Sequence, residues 1–388
     1  MEIRRIEGEE VPQAFYVASH AFMAGSRDMS WLDDPNRPEQ TGFAVWDGGG
    51  LQATVVIEHY RARFGPEVVL PLGGIAGVAC LAPARGRGYA GAGLRRALEH
   101  MREAGQVVSA LFPFSWDYYR RFGWEWVGAT RRYTARTASL PADGAAEHVR
   151  MARAAERPAV EACYAAFTRR YRGAFERDAR QWNAILDDTE KEFVFTYLYD
   201  AGDGPEGYIT YRGGRREHTG LRELVALTGR AQLGLLGVVR RQYMQWDNVG
   251  WSAPPDDALW SRYQHWDLET RVSPATQARV VDLPAAMRAW RPAPEARGSL
   301  VLAVEDEAAP WNAGTWRVAF EGGAVEARPG RDEPDVSLDI QALSQAYFGT
   351  PSVPDLRAAE RIVVHREAGY MALRDLLAGP PMWMNDSF

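Results

Sequence analysis

Only two cysteines stand among the 388 residues, Cys80 and Cys163, and no CxxC joins them. A disulfide-stapled scaffold is thereby disfavoured, and both thiols read as buried and reduced in apolar surroundings. The seven histidines form no HxH, HExxH or Cys/His cluster, so no metal is expected. No apolar run approaches the roughly 20 residues that a bilayer-spanning helix needs. The opening MEIRRIEGEE is charged and lacks the apolar stretch of a signal peptide, so a cytoplasmic protein is expected. No long basic stripe is present, and the formal net charge is −6. Neither a nucleic-acid nor a membrane partner is therefore expected, and an acidic balance modestly favours cationic substrates.

What is present is the profile of a globular protein, with 46% hydrophobic and 25% charged residues, in a chain long enough for two or three domains. The first segment runs to about residue 145. It holds an alternating strand over Leu51–His59 and a strand over Ile75–Leu81. A helix comes next with apolar residues at Ala90, Leu94, Ala97, Leu98 and Met101 on one stripe, then a strand over Val107–Phe112, a candidate parallel neighbour of the earlier one. The stretch SLPADGAAEH reads as a linker. The second segment, 146–290, echoes the first. Arg5 and Tyr16 recur as Arg153 and Tyr164, 148 residues on, and LVALTG again runs into a helix. Duplication and a coincidence of two amphipathic helices both account for this. The second copy has TGRAQLG where the first has ARGRGYA, which predicts a lost cofactor site. Trp246 to Trp266 read as core tryptophans. The third segment, 291–388, begins at Arg291-Pro292-Ala293-Pro294. Its strands near Leu300–Val304, Trp316–Phe320 and Val336–Ile340, with helices at Leu343–Tyr347 and Tyr370–Leu377, suggest α+β.

The strongest local signal is VACLAPARGRGYAGAGL, Val78 to Leu94. A strand runs directly into Arg85-Gly86-Arg87-Gly88-Tyr89-Ala90, which opens the amphipathic helix. Glycines let backbone N–H groups converge, and the helix start adds partial positive charge, so the turn suits a pyrophosphate. There is no Gly-Lys-Ser/Thr ending for a Walker loop, and Gly86-Arg87-Gly88-Tyr89-Ala90-Gly91 departs from the Rossmann fingerprint. The R-x-x-G-x-A turn that grips the pyrophosphate of coenzyme A remains, beside the alternative of mere packing.

About thirty residues on stands SALFPFSWDYYRRFGWEWVG. With Tyr119-Arg120-Arg121-Phe122-Gly123-Trp124 matching Y-x-R-F-G-aromatic, the sequence resembles the enhanced intracellular survival (Eis) family of acetyltransferases. The resemblance covers nearly the whole chain. It implies α/β and α+β architecture: a catalytic GNAT fold (1–145), a second, degenerate GNAT fold (146–290) and a sterol carrier protein-like domain (291–388), with Asp306-Glu307-Ala308-Ala309-Pro310-Trp311-Asn312 as its typical opening. It further implies an acetyl-CoA-dependent N-acetyltransferase acting on a primary amine in a ternary complex, with an aminoglycoside-like multi-amine, a polyamine or a lysine as acceptor, and a hexameric assembly. Tyr119 matches the family's general acid. The family's base is a terminal carboxylate carried by an aromatic residue, which puts Phe388 in that role. Val78 and Cys80 would face the pantetheine arm; Arg85, Gly86, Arg87, Gly88 and Ala90 would surround the pyrophosphate, with Ser115 and Arg121 beyond them.

Simpler readings stand beside these. Tyr119 suits an aromatic core and Phe388 a frayed end. Asp28 and Trp31 suit either an amine pocket, through charge and ring stacking, or a solvated loop. The chain also departs from the family: Ala82 and Pro83 displace a proline, Gly86 stands where relatives often have arginine, and Ser387 precedes the terminal aromatic, with Asp386 before it. Two other function classes compete, a lipid- or hydrophobe-binding module using the third domain and a non-catalytic acyl-CoA sensor.

Overall fold

The computed structural model describes residues 1–23, 38–142, 144–188, 193–212 and 219–388. In chain order, a first run holds β1 (Glu2–Arg5), α1 (Val11–Phe22), β2 (Gln40–Asp47), β3 (Gly50–Phe64), β4 (Val69–Cys80), α2 (Tyr89–Glu103), β5 (Val108–Leu111), α3 (Trp116–Arg120) and β6 (Glu125–Trp126). A middle run holds β7 (Ala129–Arg136), β8 (Val149–Met151), α4 (Arg157–Thr168), β9 (Arg172–Phe175), α5 (Ala179–Leu186), β10 (Val194–Asp200), β11 (Pro205–Arg212), β12 (Thr219–Ala226), α6 (Gly229–Arg240), β13 (Asn248–Ala253) and β14 (Glu269–Pro274). The last run holds β15 (Gln277–Val280), α7 (Leu283–Ala289), β16 (Gly298–Glu305), β17 (Gly314–Glu321), β18 (Ala324–Pro329), β19 (Val336–Asp339), α8 (Ile340–Phe348), α9 (Val353–Ala358), β20 (Val363–Val364) and α10 (Glu367–Leu377).

These elements form two compact units that are not contiguous in sequence. The first is Met1–Val127 with Thr276–Pro380 and Asp386–Phe388; the second is Gly128–Ala275 with Pro381–Asn385. In the first unit one sheet runs in the order β1-β2-β3-β4-β5-β15-β6. The four residues of β15 fill the gap between β5 and β6, antiparallel to both. Helix α2 lays Leu94, Ala97, Leu98 and Met101, all with no exposed area, onto Val55, Ile57 and Ile75 of that sheet. Burying four such side chains contributes several kcal/mol before the entropy of ordering them is counted, which is why the apolar stripe was readable. A second sheet in this unit, β18-β17-β16-β19-β20, carries α8 and α10 and is the expected α+β element.

The strand β15 also carries half of a fully buried ion pair. Arg279 and Asp306 have side-chain exposures of 0% and 1%. Removing two charges from water costs several kcal/mol each unless every lone pair and N–H is matched. Here each guanidinium nitrogen and each carboxylate oxygen has a partner. Arg279 donates to the carbonyls of Phe122 and Val280 and to Asp306, and its guanidinium lies 5.5 Å from the Trp124 ring. Asp306 also accepts from the Asn312 side chain and the Ala309 backbone. Asn312 and Trp311 donate in turn to the Val281 carbonyl. The motif glycine Gly123, at φ +86°, lies against this pair; a Cβ there would fall 2.6 Å from the Arg279 guanidinium. The motif opening at Asp306 is thus the second half of a lock on the loop that carries Phe122 and Gly123.

In the second unit the sheet runs β14-β7-β13-β12-β11-β10-β8. The internal echo is real, but its register differs from the expected one. Helix α1 starts at 11 and α4 at 157, so equivalents stand 146 apart (157 less 11). Each helix comes after a short 3₁₀ turn whose glutamate ties back to an arginine: Arg4 to Glu10 at 2.9 Å, Arg150 to Glu156 at 2.8 Å. Each has proline in its first turn, Pro12 and Pro158. Tyr16 and Tyr164 are therefore not equivalent, and their burial shows it: Tyr16 is 65% exposed, Tyr164 only 3%. Two further expectations are corrected. The stretch read as a linker folds into 3₁₀ turns and buries Leu140 and Ala146, because apolar residues inside a Gly/Ala-rich stretch can still dock. Trp246 and Trp251 are core, whereas Trp260 is 38% exposed and Trp266 wholly exposed.

Arg279→Met should strand Asp306 as a buried unpaired charge and cost about 3–5 kcal/mol, read as a lower urea midpoint. Arg279→Met with Asp306→Leu should recover most of that loss; an unchanged midpoint in the single variant would show that the pair does not hold the unit together.

Candidate active site

The strand β4 changes partners along its length. It pairs with β3 throughout, but Thr54 faces Ala79 and Val56 faces Ala76, so Gly77 and Val78 bulge opposite Val55. The Thr54 hydroxyl donates to the Gly77 carbonyl at 3.0 Å and holds the bulge. A bulge of this kind bends a strand and re-aims its groups. On its other edge β4 pairs in parallel with β5 only from Leu72↔Val108 to Gly74↔Ala110. Ser109 locks that short ladder, donating to the Gly73 carbonyl and accepting from Trp124 Nε1. Beyond Gly74 the two strands part while β4 continues to Cys80. Val78 and Cys80 lie on this parted stretch, where backbone polar groups need a partner. The opening lies at the carboxyl ends of parallel strands, where ligands of open α/β sheets bind.

The parted strand runs into the predicted turn. Residues 82–84 make one 3₁₀ turn around Pro83, then Gly86 (φ +78°) and Gly88 (φ +87°) curl the backbone into the start of α2. A Cβ at either glycine would meet nothing within 4 Å, so their backbone faces open space. Gly88 offers no side chain to cap the helix, leaving the first N–H groups of α2 to an outside acceptor. Arg85, Gly86, Arg87 and Gly88 are all exposed, and Ala90 is half-buried. Arg87 sits 3.5 Å from Asp47, while Arg85 Nε donates to the Cys80 carbonyl at 3.4 Å. Sequence reasoning missed Asp47 and Tyr89. The Tyr89 hydroxyl donates to Asp47, and chiefly this bond holds the carboxyl below the usual range. No motif marks a pairing across 42 residues.

Tyr119 lies in the short helix α3, buried in the core shared by α2 and the sheet. Phe114 and Tyr118 surround its ring at 5.3 and 5.2 Å. Its hydroxyl makes no hydrogen bond among the described residues. Burial pushes its phenol well above the ordinary value, with a smaller push from Tyr118. Two residues before Phe114, Phe112 meets the ring of Phe388 edge-on at 5.2 Å, and Tyr60 packs on its other side at 5.0 Å. Gly74 leaves the room for this, since a Cβ there would fall 2.7 Å from the Phe388 ring. The structure therefore seats the Phe388 ring against Tyr60, Gly74 and Phe112, the last just beyond the end of β5.

Three family models match the chain. One described as an acetyltransferase (GNAT) domain covers 2–127, another of the same description covers 173–280, and a sterol carrier protein domain covers 283–385. The chain is 28% identical over 342 residues to an uncharacterized N-acetyltransferase of Streptomyces avermitilis, spanning 82% of each chain. It is 26% identical over 352 residues to the N-acetyltransferase Eis of Mycobacterium tuberculosis, spanning 84% of this chain and 83% of the relative. The chain is a GNAT-family N-acetyltransferase. Solved structures share the fold over its full length: a GCN5-related N-acetyltransferase from Anabaena variabilis (TM-score 0.88, 20% identity, covering 100% of both chains) and one from Kribbella flavida (TM-score 0.85, 24% identity, covering 100% of this chain and 98% of the other).

Acetyltransferases of this family use acetyl-CoA, and this chain carries two GNAT domains followed by a sterol carrier protein domain. Of the remaining expected residues, Ser115 starts α3 without a capping hydrogen bond, and Arg121 lies exposed over Tyr118 at 4.8 Å. Both flank the helix that carries Tyr119. Asp28 and Trp31 lie outside the described residues. Among the described residues no helix is long and apolar enough to cross a membrane, and no His/Cys/Asp/Glu group of three could hold a metal.

Gly74→Ala should force the Phe388 ring away and lower turnover about tenfold, with acetyl-CoA affinity unchanged. Wild-type rates in that variant would separate Phe388 from the reaction. Because burial raises the Tyr119 phenol, its protonated form persists above about pH 10. The rate from about pH 7 to 10 should therefore show no falling limb from Tyr119 ionisation, and Tyr119→Phe should keep the same high-pH profile at a lower rate.

Proposed function

We propose that the acetyltransferase reaction transfers acetyl from acetyl-CoA directly to a primary amine held with it in a ternary complex. The observation that carries this reading is the parting of β4 from β5 beyond Gly74, with the turn at the end of β4 and the Phe388 ring against Gly74 where the parting begins. In this reading Val78 and Cys80 present backbone to the pantetheine arm. Arg85, Gly86, Arg87, Gly88 and Ala90, with the first N–H groups of α2, receive the pyrophosphate. Ser115 and Arg121 border the nucleotide's path.

The amine attacks the thioester carbon, and the C–S bond then breaks to leave a thiolate. Tyr119 serves as a hydrogen-bond donor to that sulfur. Its raised phenol pKa makes complete proton transfer harder than for an ordinary tyrosine but keeps the donor loaded at every working pH. The carboxylate of Phe388, with an unperturbed pKa of about 3.5, holds the incoming ammonium while its proton passes to water, leaving the free amine to attack. The carboxylate is too weak a base to deprotonate the amine outright, and serves chiefly to hold the cation in place. An acyl-enzyme route through Cys80 is disfavoured, since burial pushes that thiol up despite Arg85, and the thiolate is the nucleophile.

Acceptors of the multi-amine, polyamine and lysine types all satisfy this chemistry. Asp28 and Trp31 are proposed to meet the amine through charge and ring stacking. The cytoplasmic setting and a hexameric assembly remain parts of the proposal that rest on the sequence and its family resemblance.

Thiol release from acetyl-CoA across a panel of multi-amines, polyamines and lysine peptides should detect at least one acceptor; binding of acetyl-CoA without turnover on any of them would favour a sensor. Tyr119→Phe should lower that rate about tenfold or more, whereas Cys80→Ala should keep most of it. A Cys80→Ala variant that is dead, with a trappable acetyl-enzyme in the parent, would replace direct transfer with a two-step route.

A further inference from the structure

We infer that the second unit holds a ligand cleft of its own, shaped for a small organic acid that also carries a hydrogen-bond donor. The cleft is a cavity of ≈ 210 Å³ at the ends of β12 and β13 and the start of α6. Its origin is the same as that of the opening beside β4. β12 and β13 pair in parallel only at Thr219↔Val249 and Gly220↔Gly250, then part while running on to Ala226 and Ala253. The duplicated fold has kept the crevice at the carboxyl ends of its parallel strands.

It has not kept the phosphate turn. Eight residues (81–88) join β4 to α2, whereas two (227–228) join β12 to α6. Thr228 caps α6 by accepting from the Ala231 N–H, and its hydroxyl donates to Glu206. A carboxylate, paired with Arg230, thus stands beside the helix start, where a pyrophosphate would be repelled. Coenzyme A does not fit here.

The lining instead sorts into three parts. Trp251 and Leu224 supply apolar wall, and Trp251 Nε1–H is buried without an acceptor among the described residues. Arg170 stretches over the Phe167 and Tyr171 rings at 4.5 and 5.6 Å. The Arg262 guanidinium rests against Gly229, where a Cβ would fall 2.1 Å from its Cζ. Neither arginine has an ion-pair partner among the described residues, so an anionic group gains charge-assisted bonds from them. On the acidic side, Asp257 is fully engaged, accepting from Tyr133, Gln232 and the Leu259 N–H. Asp256 accepts from Tyr171 through one oxygen and is exposed, which leaves the other for a donor on the ligand.

The probes are 4-hydroxybenzoate, benzoate and phenol, titrated into the full chain by ligand-observed NMR with coenzyme A present throughout to occupy the first unit's turn. Binding should be tightest for 4-hydroxybenzoate, at about 1 mM or better as suits a fragment, weaker for benzoate and weakest for phenol. Arg262→Gln and Arg170→Gln, each with an unchanged melting temperature, should weaken both acids about tenfold and leave phenol unaffected. Asp256→Asn should weaken 4-hydroxybenzoate alone. No saturable binding of either acid, or acid binding indifferent to both arginine substitutions, overturns the proposal.

Discussion

The buried pair Arg279–Asp306 is the interaction on which the first unit depends. A charge pair with side-chain exposures of 0% and 1% is tolerable only when its hydrogen bonds are complete, and completing them fixes three pieces of chain at once. Arg279 binds the strand that closes the sheet to the loop of Phe122 and Gly123. Asp306 ties the sterol carrier protein domain to Arg279, and is itself held within that domain by the Asn312 side chain and the Ala309 N–H. The same loop comes straight after Tyr119, so the lock also limits where that tyrosine can stand. A hydrophobic contact of similar size would permit sliding; a satisfied charge pair does not, because any shift exposes an unpaired group to a low-dielectric interior.

The second constraint is how far two parallel strands stay paired. Three paired residues hold β4 to β5 and two hold β12 to β13, and both pairs then open. The openings differ in the turn that leads from strand to helix. An eight-residue turn with two left-handed glycines presents bare N–H groups, whereas a two-residue turn capped by Thr228 and flanked by Glu206 offers none. One fold therefore yields an uncapped helix start in one copy and a capped one in the other, by turn length and one capping residue.

Much of this was legible in the sequence where chemistry is local. The turn from Arg85 to Ala90 and the motif Tyr119–Trp124 announce themselves through residue type and spacing, and the stripe on α2 through its period. The family resemblance and the three-part architecture grew out of them. The features that escaped depend on pairing across the chain. Gln277–Val280 is too short to carry a pattern, yet it completes a sheet. The Tyr89–Asp47 bond and the seat of Phe388 against Tyr60 and Phe112 link distant positions. Gly73-Gly74 inside a strand was the one available hint, since glycine there marks a close approach. The two-residue error in the internal register arose because amphipathic helices offer near-matches at several offsets. Trp266 was misplaced because size and hydrophobicity predict burial only on average.

The carboxylate of Phe388 is proposed to take part in acetyl transfer, and moving that carboxylate without changing any side chain tests its role most directly. A chain extended by two glycines after Phe388 keeps the ring and relocates the charge. This variant is expected to bind acetyl-CoA as before, melt at the same temperature and turn over at least about tenfold more slowly, a loss within the usual range for a proton-handling group. Unchanged turnover in the extended chain would contradict the proposal and leave Phe388 a packing residue.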